Sequence, residues 1–224
     1  SKLLESILLH TSSSKRSGNV EQIMEGMLAT HRQKHLWFDP AWNVKQGGTS
    51  HINVIDDQEN AVSLSMSLGE GSGYFIEGTD IQMNNMLGEA ALLPDGWHSW
   101  TPDRRLQSMM TPILAIDEKA DAILAAGSGG ASRIPFAIAQ VLDRYMREVS
   151  DIELAVTAPR IHWSGDSWQV EPGLDKPGYI SDNQWNAWSS QSLYFCGVHV
   201  SECRERAYHA IGDDRRDGVS FCTS

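Results

Sequence analysis

The sequence predicts a fold of the α+β class. Apolar and polar residues alternate over 51–56 and again over 61–68, with a polar turn between the two stretches, which is typical of a β-hairpin. Apolar residues recur at helical spacing over 20–31 and over 131–146. The short apolar stretch 122–126 indicates a further strand. Helices and strands are therefore both expected in one globular unit.

Composition limits the class of partner. The 224 residues are enough to bury one substantial core, and 41% of them are hydrophobic. The net charge of -11 and the pI near 5.1 argue against nucleic acid or an anionic membrane as a partner, because both repel an acidic surface. No apolar run in the sequence is long enough to span a membrane.

No metal or cofactor site is predicted. The cysteines Cys196, Cys203 and Cys222 are odd in number and lack the spacing of a zinc site or a disulfide framework, so free thiols are expected. A long loop-rich stretch separates His162 from His199, and neither H-E-x-x-H nor C-x-x-C occurs.

The residues before 49 form a segment of their own. Two helices are expected, over 3–10 and 20–31, with Asn19 as a possible cap for the second. An irregular stretch follows and ends at a pair of glycines, the second of which is Gly48. These glycines give the backbone freedom just before a strand begins.

Thr49 is the candidate nucleophile. It opens the first strand of the hairpin, and Ser63, Ser65 and Ser67 share one face of the second strand. A threonine hydroxyl is a weak nucleophile that needs a base, and the free α-amine of the same residue supplies one once the bond to Gly48 is cut. The expected route to that cut is attack of the hydroxyl on the Gly48 carbonyl, followed by hydrolysis of the ester. A nucleophile at a strand start, with small hydroxyls on the neighbouring strand, resembles the arrangement in N-terminal-nucleophile hydrolases.

Two glycine-rich stretches each admit more than one interpretation. Residues 69–73 fit either a tight turn or an active-site loop; a phosphate cradle is not supported, because the P-loop lysine is missing and 74–76 continue in the style of a strand. Residues 127–130 form a glycine turn before a helix. A dinucleotide fold would also begin this way, but the spacing is not G-x-G-x-x-G and no second βα unit follows clearly.

Beyond Ser150 the pattern changes to strands and loops. Residues 152–156 fit either a helix or the start of a strand. Four tryptophans in a region rich in glycine, serine and aspartate fit either the packing of a loop-rich edge or a sugar-binding or base-stacking surface: Trp163, Trp168, Trp185 and Trp188.

Six ordered motifs resemble those of the small subunit in the gamma-glutamyltransferase family, whose members are also called glutathione hydrolases. They are Thr49–Asp56, Asn60–Ser63, Gly69–Gly73, Asn84–Glu89, Ser108–Pro112 and Gly127–Gly130, and Ala158–His162, Gly197–His199 and Gly212–Arg216 extend the resemblance towards the C-terminus. The resemblance implies an αββα sandwich, in which two sheets pack face to face between helical layers and of which this chain covers part. It also implies that 1–48 is the tail of a large subunit and 49–224 the small catalytic subunit.

The resemblance assigns the catalytic groups. Self-cleavage falls between Gly48 and Thr49, and Thr49 is the nucleophile. Ser67 matches a hydroxyl position near the Thr49 amine. The amides of Gly130 and Ala131 would form the oxyanion hole.

The resemblance also assigns substrate-binding groups. Glu89 takes the place of an aspartate that binds the substrate α-amino group. Ser108 matches the first of two serines that hold the substrate carboxylate, and Met109 replaces the second. Asn85 and Gly129 complete the expected set. The arginine that family members use for the same carboxylate is not in this sequence, so we expect a fragment or a chain with a partner.

The expected function is self-processing γ-glutamyl transfer or glutathione hydrolysis, with the acyl group passed through a γ-glutamyl-threonine ester to water, an amino acid or a peptide. The expected partners are γ-glutamyl compounds such as glutathione, an acceptor, and the remainder of the large subunit in a processed heterodimer; no nucleic acid is expected. Leu68, Met86 and Met109 make the pocket more apolar, so an acylase with a less polar acyl group is an alternative, as is a non-catalytic homologue. The resemblance implies a periplasmic or extracellular location.

Overall fold

A computed structural model describes residues 20–33, 48–89, 92–93, 96–149 and 151–222. The helix predicted over 3–10, the cap at Asn19 and the irregular stretch before the glycine pair lie outside this part of the chain. The helices are α1 (Val20–Gln33), α2 (Ile134–Arg144) and α3 (Ile152–Thr157); the strands are β1 (Thr49–Ile55), β2 (Ala61–Ser67), β3 (Ile113–Asp117), β4 (Ala122–Gly129), β5 (Ile161–Trp163), β6 (Trp168–Val170), β7 (Trp185–Ala187), β8 (Gly197–Arg204), β9 (Ala207–Ile211) and β10 (Phe221–Cys222).

The predicted hairpin is confirmed. Strands β1 and β2 pair antiparallel, with Thr49 opposite Ser67 at one end. The turn at the other end is built by Asp56, whose carboxylate accepts hydrogen bonds from the amides of Gln58 and Asn60. This local turn chemistry fixes the register, and the register sets Thr49 level with Ser67.

The hairpin packs against a five-stranded sheet with the strand order β10-β9-β8-β4-β3. The hairpin lies on β4 and β8, and helices α2 and α3 pack on the sheet as well. Strand β3 has no counterpart among the sequence predictions. Helix, sheet and hairpin together confirm the α+β class.

The glycine turn predicted after β4 is much shorter than expected. Strand β4 continues through the first two of the three glycines, since Gly127 pairs with His199 and Gly129 with Gly197 on β8. The chain turns only at Gly130, where φ is 140°. Neighbouring β8 supplies the pairing that makes this stretch a strand, and a local pattern cannot show it.

The helix predicted over 131–146 begins later and ends irregularly. A 3-10 turn, Ala131–Arg133, precedes α2, and the π-helical turn Tyr145–Val149 follows it. Pro135 stands in the first turn of α2, where its missing N–H costs no hydrogen bond. The undecided residues 152–156 are helical, in α3, which is capped by the Asp151 side chain.

The tryptophans do not form one binding surface. Trp168 is 1% exposed and belongs to the core, and Trp163 packs on it with ring centroids 4.9 Å apart. Trp188 stacks on Tyr194. Packing is therefore the role of these rings, and the sugar-binding or base-stacking alternative is not supported.

The strand expected at 74–76 is wrong. Instead of a strand there is an isolated bridge of Phe75 with Gln82, flanked by hydrogen bonds from the Met83 amide to the Tyr74 carbonyl and from the Ile76 amide to the Ile81 carbonyl. The segment folds back on itself in turns, because Gly71, Gly73 and Gly78 all have positive φ. The loop that leaves β2 is thus a compact excursion from the sheet.

The hairpin has an unusual distribution of polarity. Apart from Ser50, its polar side chains face the five-stranded sheet, whereas five apolar ones point away and are exposed: Ile52 52%, Val54 51%, Val62 55%, Leu64 45% and Met66 54%. An exposed apolar sheet face of this kind is typical of a surface that another element covers.

Candidate active site

Thr49 lies at the start of β1 and is buried, at 8% exposure. Its hydroxyl donates a hydrogen bond to the Ser67 hydroxyl oxygen over 3.1 Å, across the hairpin. Ser67 in turn accepts from the Gly69 amide at 3.0 Å. The Gly48 amide donates to the Gly69 carbonyl at 3.1 Å, so both sides of the Gly48–Thr49 bond are held against the end of β2.

The corner after β4 stands beside the Thr49 backbone. A Cβ added to Gly129 would lie 2.3 Å from the Thr49 carbonyl oxygen, so only glycine permits this approach. Gly130 turns the chain, and Ala131 follows with φ of 57°, in the left-handed region. The amides of these two residues open the 3-10 turn, and the first amides of a helical turn have no acceptor within it.

Arg216 also reaches Thr49. Its Nη1 donates a hydrogen bond to the Thr49 carbonyl oxygen at 3.0 Å. A Cβ on Gly129 would lie 2.3 Å from that Nη1, and a Cβ on Gly197 would lie 2.4 Å from Cγ of the same arginine. Glycines on two neighbouring strands therefore leave a slot that the Arg216 side chain fills.

Glu89 and Asn85 are brought to the loop that follows β2. A Cβ on Gly69 would lie 2.5 Å from Asn85 Oδ1, 2.9 Å from Glu89 Oε1 and 3.4 Å from the Met86 sulfur. Burial, and then the charge of Glu70, raise the pKa of the Glu89 carboxyl. Asn85, Met86 and Glu89 therefore lie around Gly69, whose carbonyl accepts the hydrogen bond from the Gly48 amide.

The structure does not join Ser108 to this group by any contact among the described residues. Ser108 is exposed, and its hydroxyl accepts a hydrogen bond from the Met110 amide at 3.1 Å, within its own turn. Its assignment to the substrate carboxylate stays a prediction. The other predicted residues, from Gly48 to Ala131, lie around Thr49 or along the loop that contacts it.

A polar network lies between the hairpin and the sheet, directly beyond Thr49 along β1. His51 Nδ1 is 2.7 Å from the Ser65 hydroxyl, and His51 Nε2 is 2.8 Å from Asn53 Oδ1. Asn53 Nδ2 donates to the His199 carbonyl on β8 at 2.9 Å, and the Ser63 hydroxyl donates to the Ala126 carbonyl at 3.0 Å. These bonds tie β1 and β2 to β4 and β8.

The bonding pattern assigns the His51 tautomer. Asn53 uses its amide group as a donor to His199, so its Oδ1 accepts from His51 Nε2–H. Nδ1 is then the unprotonated nitrogen, which accepts from the Ser65 hydroxyl. Burial lowers the pKa of His51, and the Asn53 bond offsets part of that effect. The ring is therefore neutral near pH 7 and rigidly held.

We expect Gly127→Ala to destabilise the protein. A Cβ there would lie 2.0 Å from His51 Cε1, so the ring and the hairpin must shift. Overpacking of this kind costs about 1–3 kcal/mol, measurable as a lower urea midpoint. Gly178→Ala is the matched control, because an added Cβ at that position meets nothing within 4 Å. Equal midpoints for the two variants would contradict the close approach at His51.

A buried ion network anchors the turn that carries Arg216. Asp213 pairs with Arg160 through one carboxylate oxygen and with Arg215 through the other. Glu171 pairs with Arg215 and accepts from the Arg160 amide. All four residues are buried, with exposures of 0% for Arg160, 1% for Glu171, 1% for Asp213 and 7% for Arg215.

The charges of this network balance. Burial alone would raise the pKa of Asp213, but Arg160, Arg215 and the amides of Val198 and Arg215 outweigh it and hold that pKa below its usual value. The Asp213 side chain also accepts from the Arg215 amide and so caps the 3-10 turn Asp214–Arg216. The position of Arg216 is therefore set by a turn that the buried ion network holds rigidly.

Sequence reasoning missed Arg216, His51 and this network. The only local signal was the glycines at 127, 129 and 197, whose purpose is to clear space for side chains from distant segments. Within the part of the chain that the structure describes, no three histidine, cysteine, aspartate or glutamate side chains stand close enough together to bind a metal. None of its described helices has both the length and the apolar character needed to cross a bilayer.

Known proteins share this architecture. A curated glutathione hydrolase proenzyme of Bacillus subtilis (strain 168) is 30% identical over 135 residues, which are 58% of this chain and 23% of that relative. The solved structure of gamma-glutamyltranspeptidase from Pseudomonas nitroreducens complexed with L-DON has a TM-score of 0.61 at 23% identity, covering 78% of this chain and 100% of that chain. Cephalosporin acylase from Bacillus halodurans has a TM-score of 0.65 at 16% identity, covering 99% of this chain and 49% of that chain.

At these identities the two structural similarities concern the fold alone, and they confirm the predicted fold of the N-terminal-nucleophile hydrolase type. The chain spans about a quarter of the length of the Bacillus subtilis relative, of which it covers 23%. The family model described as Gamma-glutamyltranspeptidase matches residues 5–222. Since that match includes almost all of the sequence, the chain belongs to the gamma-glutamyltranspeptidase family.

Proposed function

We propose that this chain forms the catalytic part of a self-processing enzyme that hydrolyses γ-glutamyl amides such as glutathione or transfers the γ-glutamyl group to an acceptor. The observation that carries the proposal is the placement of Thr49. Its hydroxyl bonds Ser67 at a strand start, and its backbone lies against the Gly129 corner. Residues 1–48 are the tail of the large subunit, and 49–224 are the small subunit.

Self-cleavage comes first. The Thr49 hydroxyl oxygen attacks the Gly48 carbonyl carbon, the bond from that carbon to the Thr49 nitrogen breaks, and the nitrogen gains the hydroxyl proton. Water then hydrolyses the ester and leaves a carboxylate at Gly48 and a free amine at Thr49. The hydrogen bond from the Gly48 amide to the Gly69 carbonyl and the hydrogen bond between the Thr49 and Ser67 hydroxyls hold the Gly48 carbonyl and the Thr49 hydroxyl close together for this step.

Turnover uses the new amine as its base. The amine takes the proton of the Thr49 hydroxyl while the oxygen attacks the substrate γ-carbonyl carbon. The amides of Gly130 and Ala131 receive the oxyanion, and donors of this kind are worth about 2.7 to 4 kcal/mol in the barrier. The protonated amine then gives its proton to the departing nitrogen, which leaves a γ-glutamyl ester on Thr49. Water, an amino acid or a peptide takes the acyl group from that ester.

The group beside Gly69 is the proposed substrate pocket. The Glu89 carboxylate pairs with the substrate α-ammonium, and Asn85 holds the loop by accepting from the Glu70 amide at 2.7 Å. Ser108 is the proposed donor to the substrate carboxylate, and its exposed turn must approach when substrate binds. The carboxylate-binding arginine is proposed to come from the remainder of the large subunit.

That remainder is also the proposed partner for the exposed hairpin face. The apolar side chains that point away from the sheet include Ile52, Val62 and Met66. A helical layer laid on them would complete an αββα sandwich and bury this face. The chain spans 23% of the Bacillus subtilis relative, which leaves ample sequence for such a layer. A periplasmic or extracellular location is proposed from the family alone.

The nature of the acyl group is tested by Glu89→Gln in the protein expressed from its complete gene. We expect KM for γ-glutamyl-p-nitroanilide to rise at least tenfold, since loss of a charge-assisted bond costs about 1.5–3 kcal/mol, while simple acyl anilides are unaffected. Glu77→Gln, at an exposed position outside the pocket, is the matched control.

A preference of the unchanged protein for simple acyl anilides would replace this substrate by a less polar acyl group. Met86 beside Gly69 favours that second function, because it offers apolar surface next to Glu89. No turnover of either class, in a chain that stays uncut, would leave the non-catalytic homologue.

A further inference from the structure

Arg216 contacts the nucleophile through a group that the reaction does not change. Its Nη1 lies 3.0 Å from the Thr49 carbonyl oxygen. Within one residue the backbone nitrogen and carbonyl oxygen are about 3 Å apart, so the guanidinium lies within roughly 6 Å of the Thr49 nitrogen. When the Gly48–Thr49 bond is cut, that nitrogen becomes the α-amine that serves as base.

We propose that Arg216 is a positioning residue for this base: its guanidinium fixes the Thr49 backbone through the carbonyl and holds a positive charge beside the α-amine that cleavage exposes. The inference rests on the proposed self-processing. A fixed charge of the same sign within this distance disfavours the protonated amine and lowers its pKa. More of the amine is then unprotonated and able to act as a base near pH 7.

The surroundings of Arg216 suit this role. Gly129 and Gly197 are paired on β4 and β8, and the Arg216 side chain lies across both of them, with its Cγ against Gly197 and its Nη1 against Gly129 and the Thr49 carbonyl. The buried pairs of Asp213 with Arg160 and Arg215 fix the turn from which it extends. The Arg216 charge also acts on His199. Burial is the main cause that lowers the pKa of His199; Asp213 raises that pKa, and Arg216 lowers it further.

Other charged or titratable groups surround the same spot. They are His51 on β1, His199 on β8, Glu70 and Glu89 beside Gly69, and Cys196 and Arg133 beside Gly130. The two carboxylates act on the amine in the opposite sense, because negative charge favours its protonated form. Substitution of Arg216 leaves all six in place, so a change in the amine pKa between variants reports on Arg216.

The test measures the amine itself, apart from any substrate. Processed protein from the complete gene is acetylated with limiting acetic anhydride over a range of pH, and Asp-N protease then releases the peptide 49–55. That peptide contains no lysine, so its stable amide label belongs to the α-amine. The labelled fraction against pH, read by mass spectrometry, gives the amine pKa. The pH dependence of kcat/KM for γ-glutamyl-p-nitroanilide is recorded beside it.

Three variants separate the charge from the hydrogen bond. Arg216→Gln keeps an N–H donor without charge, Arg216→Lys keeps charge, and Arg206→Gln is the exposed control. We expect Arg216→Gln to raise the amine pKa by roughly one unit and to move the acid limb of kcat/KM equally. Arg216→Lys stays near the wild-type value in both readouts, and Arg206→Gln matches wild type.

An unchanged amine pKa in Arg216→Gln overturns the proposal. An unchanged amine pKa together with a lower unfolding midpoint than that of Arg206→Gln would assign the residue a structural role only. Wild-type protein that stays uncut overturns both this inference and the proposed function. A shifted amine pKa without γ-glutamyl turnover supports the inference and overturns the substrate assignment alone.

Discussion

Thr49→Ala is expected to stay a single uncut chain and to lose roughly 10⁶-fold in turnover, the order found when a nucleophile is removed from a hydrolase. The substitution removes the hydroxyl that bonds Ser67 and leaves no group to attack the Gly48 carbonyl. Without that attack the α-amine is never exposed, so the nucleophile and its base are lost together. Intact mass of the protein expressed from its complete gene checks the cut, and a γ-glutamyl anilide assay checks the turnover.

Two further variants make this result specific. Thr49→Ser keeps both the hydroxyl and the α-amine and is expected to be cut and active. Ser50→Ala changes the next side chain, which points to the exposed face of β1, and is expected to behave as wild type. A Thr49→Ala chain cut between the same residues would show that another group performs the cleavage, and the proposed mechanism would fail.

Asp213→Ala is expected to lower the free energy of unfolding by about 3–5 kcal/mol, because it leaves two buried arginines with one carboxylate between them. The cost is that of uncompensated buried charge. The exposed neighbour Asp214 gives the matched control Asp214→Ala, for which less than about 0.5 kcal/mol is expected. Urea unfolding followed by tryptophan fluorescence measures both, and similar midpoints would contradict a structural role for the network.

The same residue predicts a pH dependence. The folded pKa of Asp213 is lowered, so its contribution to stability is fully present above the unfolded value of about 3.9. That contribution is lost as the pH falls through the folded pKa, where the carboxylate becomes protonated. We therefore expect the stability difference between wild type and Asp213→Ala to shrink below pH 4. A difference that grows with acidity would give the wrong sign.

The two residues with the largest expected effects are connected through the fold. Asp213 holds the turn that ends at Arg216, and Arg216 bonds the Thr49 carbonyl. The proposed nucleophile, near the start of the described chain, is thus held by residues near its end. Substitutions at Asp213 are expected to slow processing as well as to reduce stability.

The hairpin and the position of the proposed nucleophile could be predicted from the sequence. Alternation over 51–56 and 61–68, with turn chemistry at Asp56, specifies two paired strands and sets Thr49 at the end of one. Those signals are local, since a side-chain period of two and a turn involve only neighbouring residues. The ordered glycine, asparagine and serine motifs then identified the family.

Tertiary structure decided the rest. Strand β4 runs through glycines that look like a turn, because β8 pairs with them. Trp168 lies in the core, although the sequence around it has a composition that also fits a binding surface. Arg216 and His51 gained their roles from glycines that lie far from them in sequence and give them room.

By itself, then, the sequence determined the α+β class, the hairpin, the candidate nucleophile and the family. Only the tertiary structure determined which distant side chains meet Thr49, how the buried ions pair, and that Ser108 stands apart. The physical reason is range. The alternation of side chains and the choice of turn residues involve only a few neighbouring residues, whereas the slot that Arg216 fills exists only once β4 and β8 have paired.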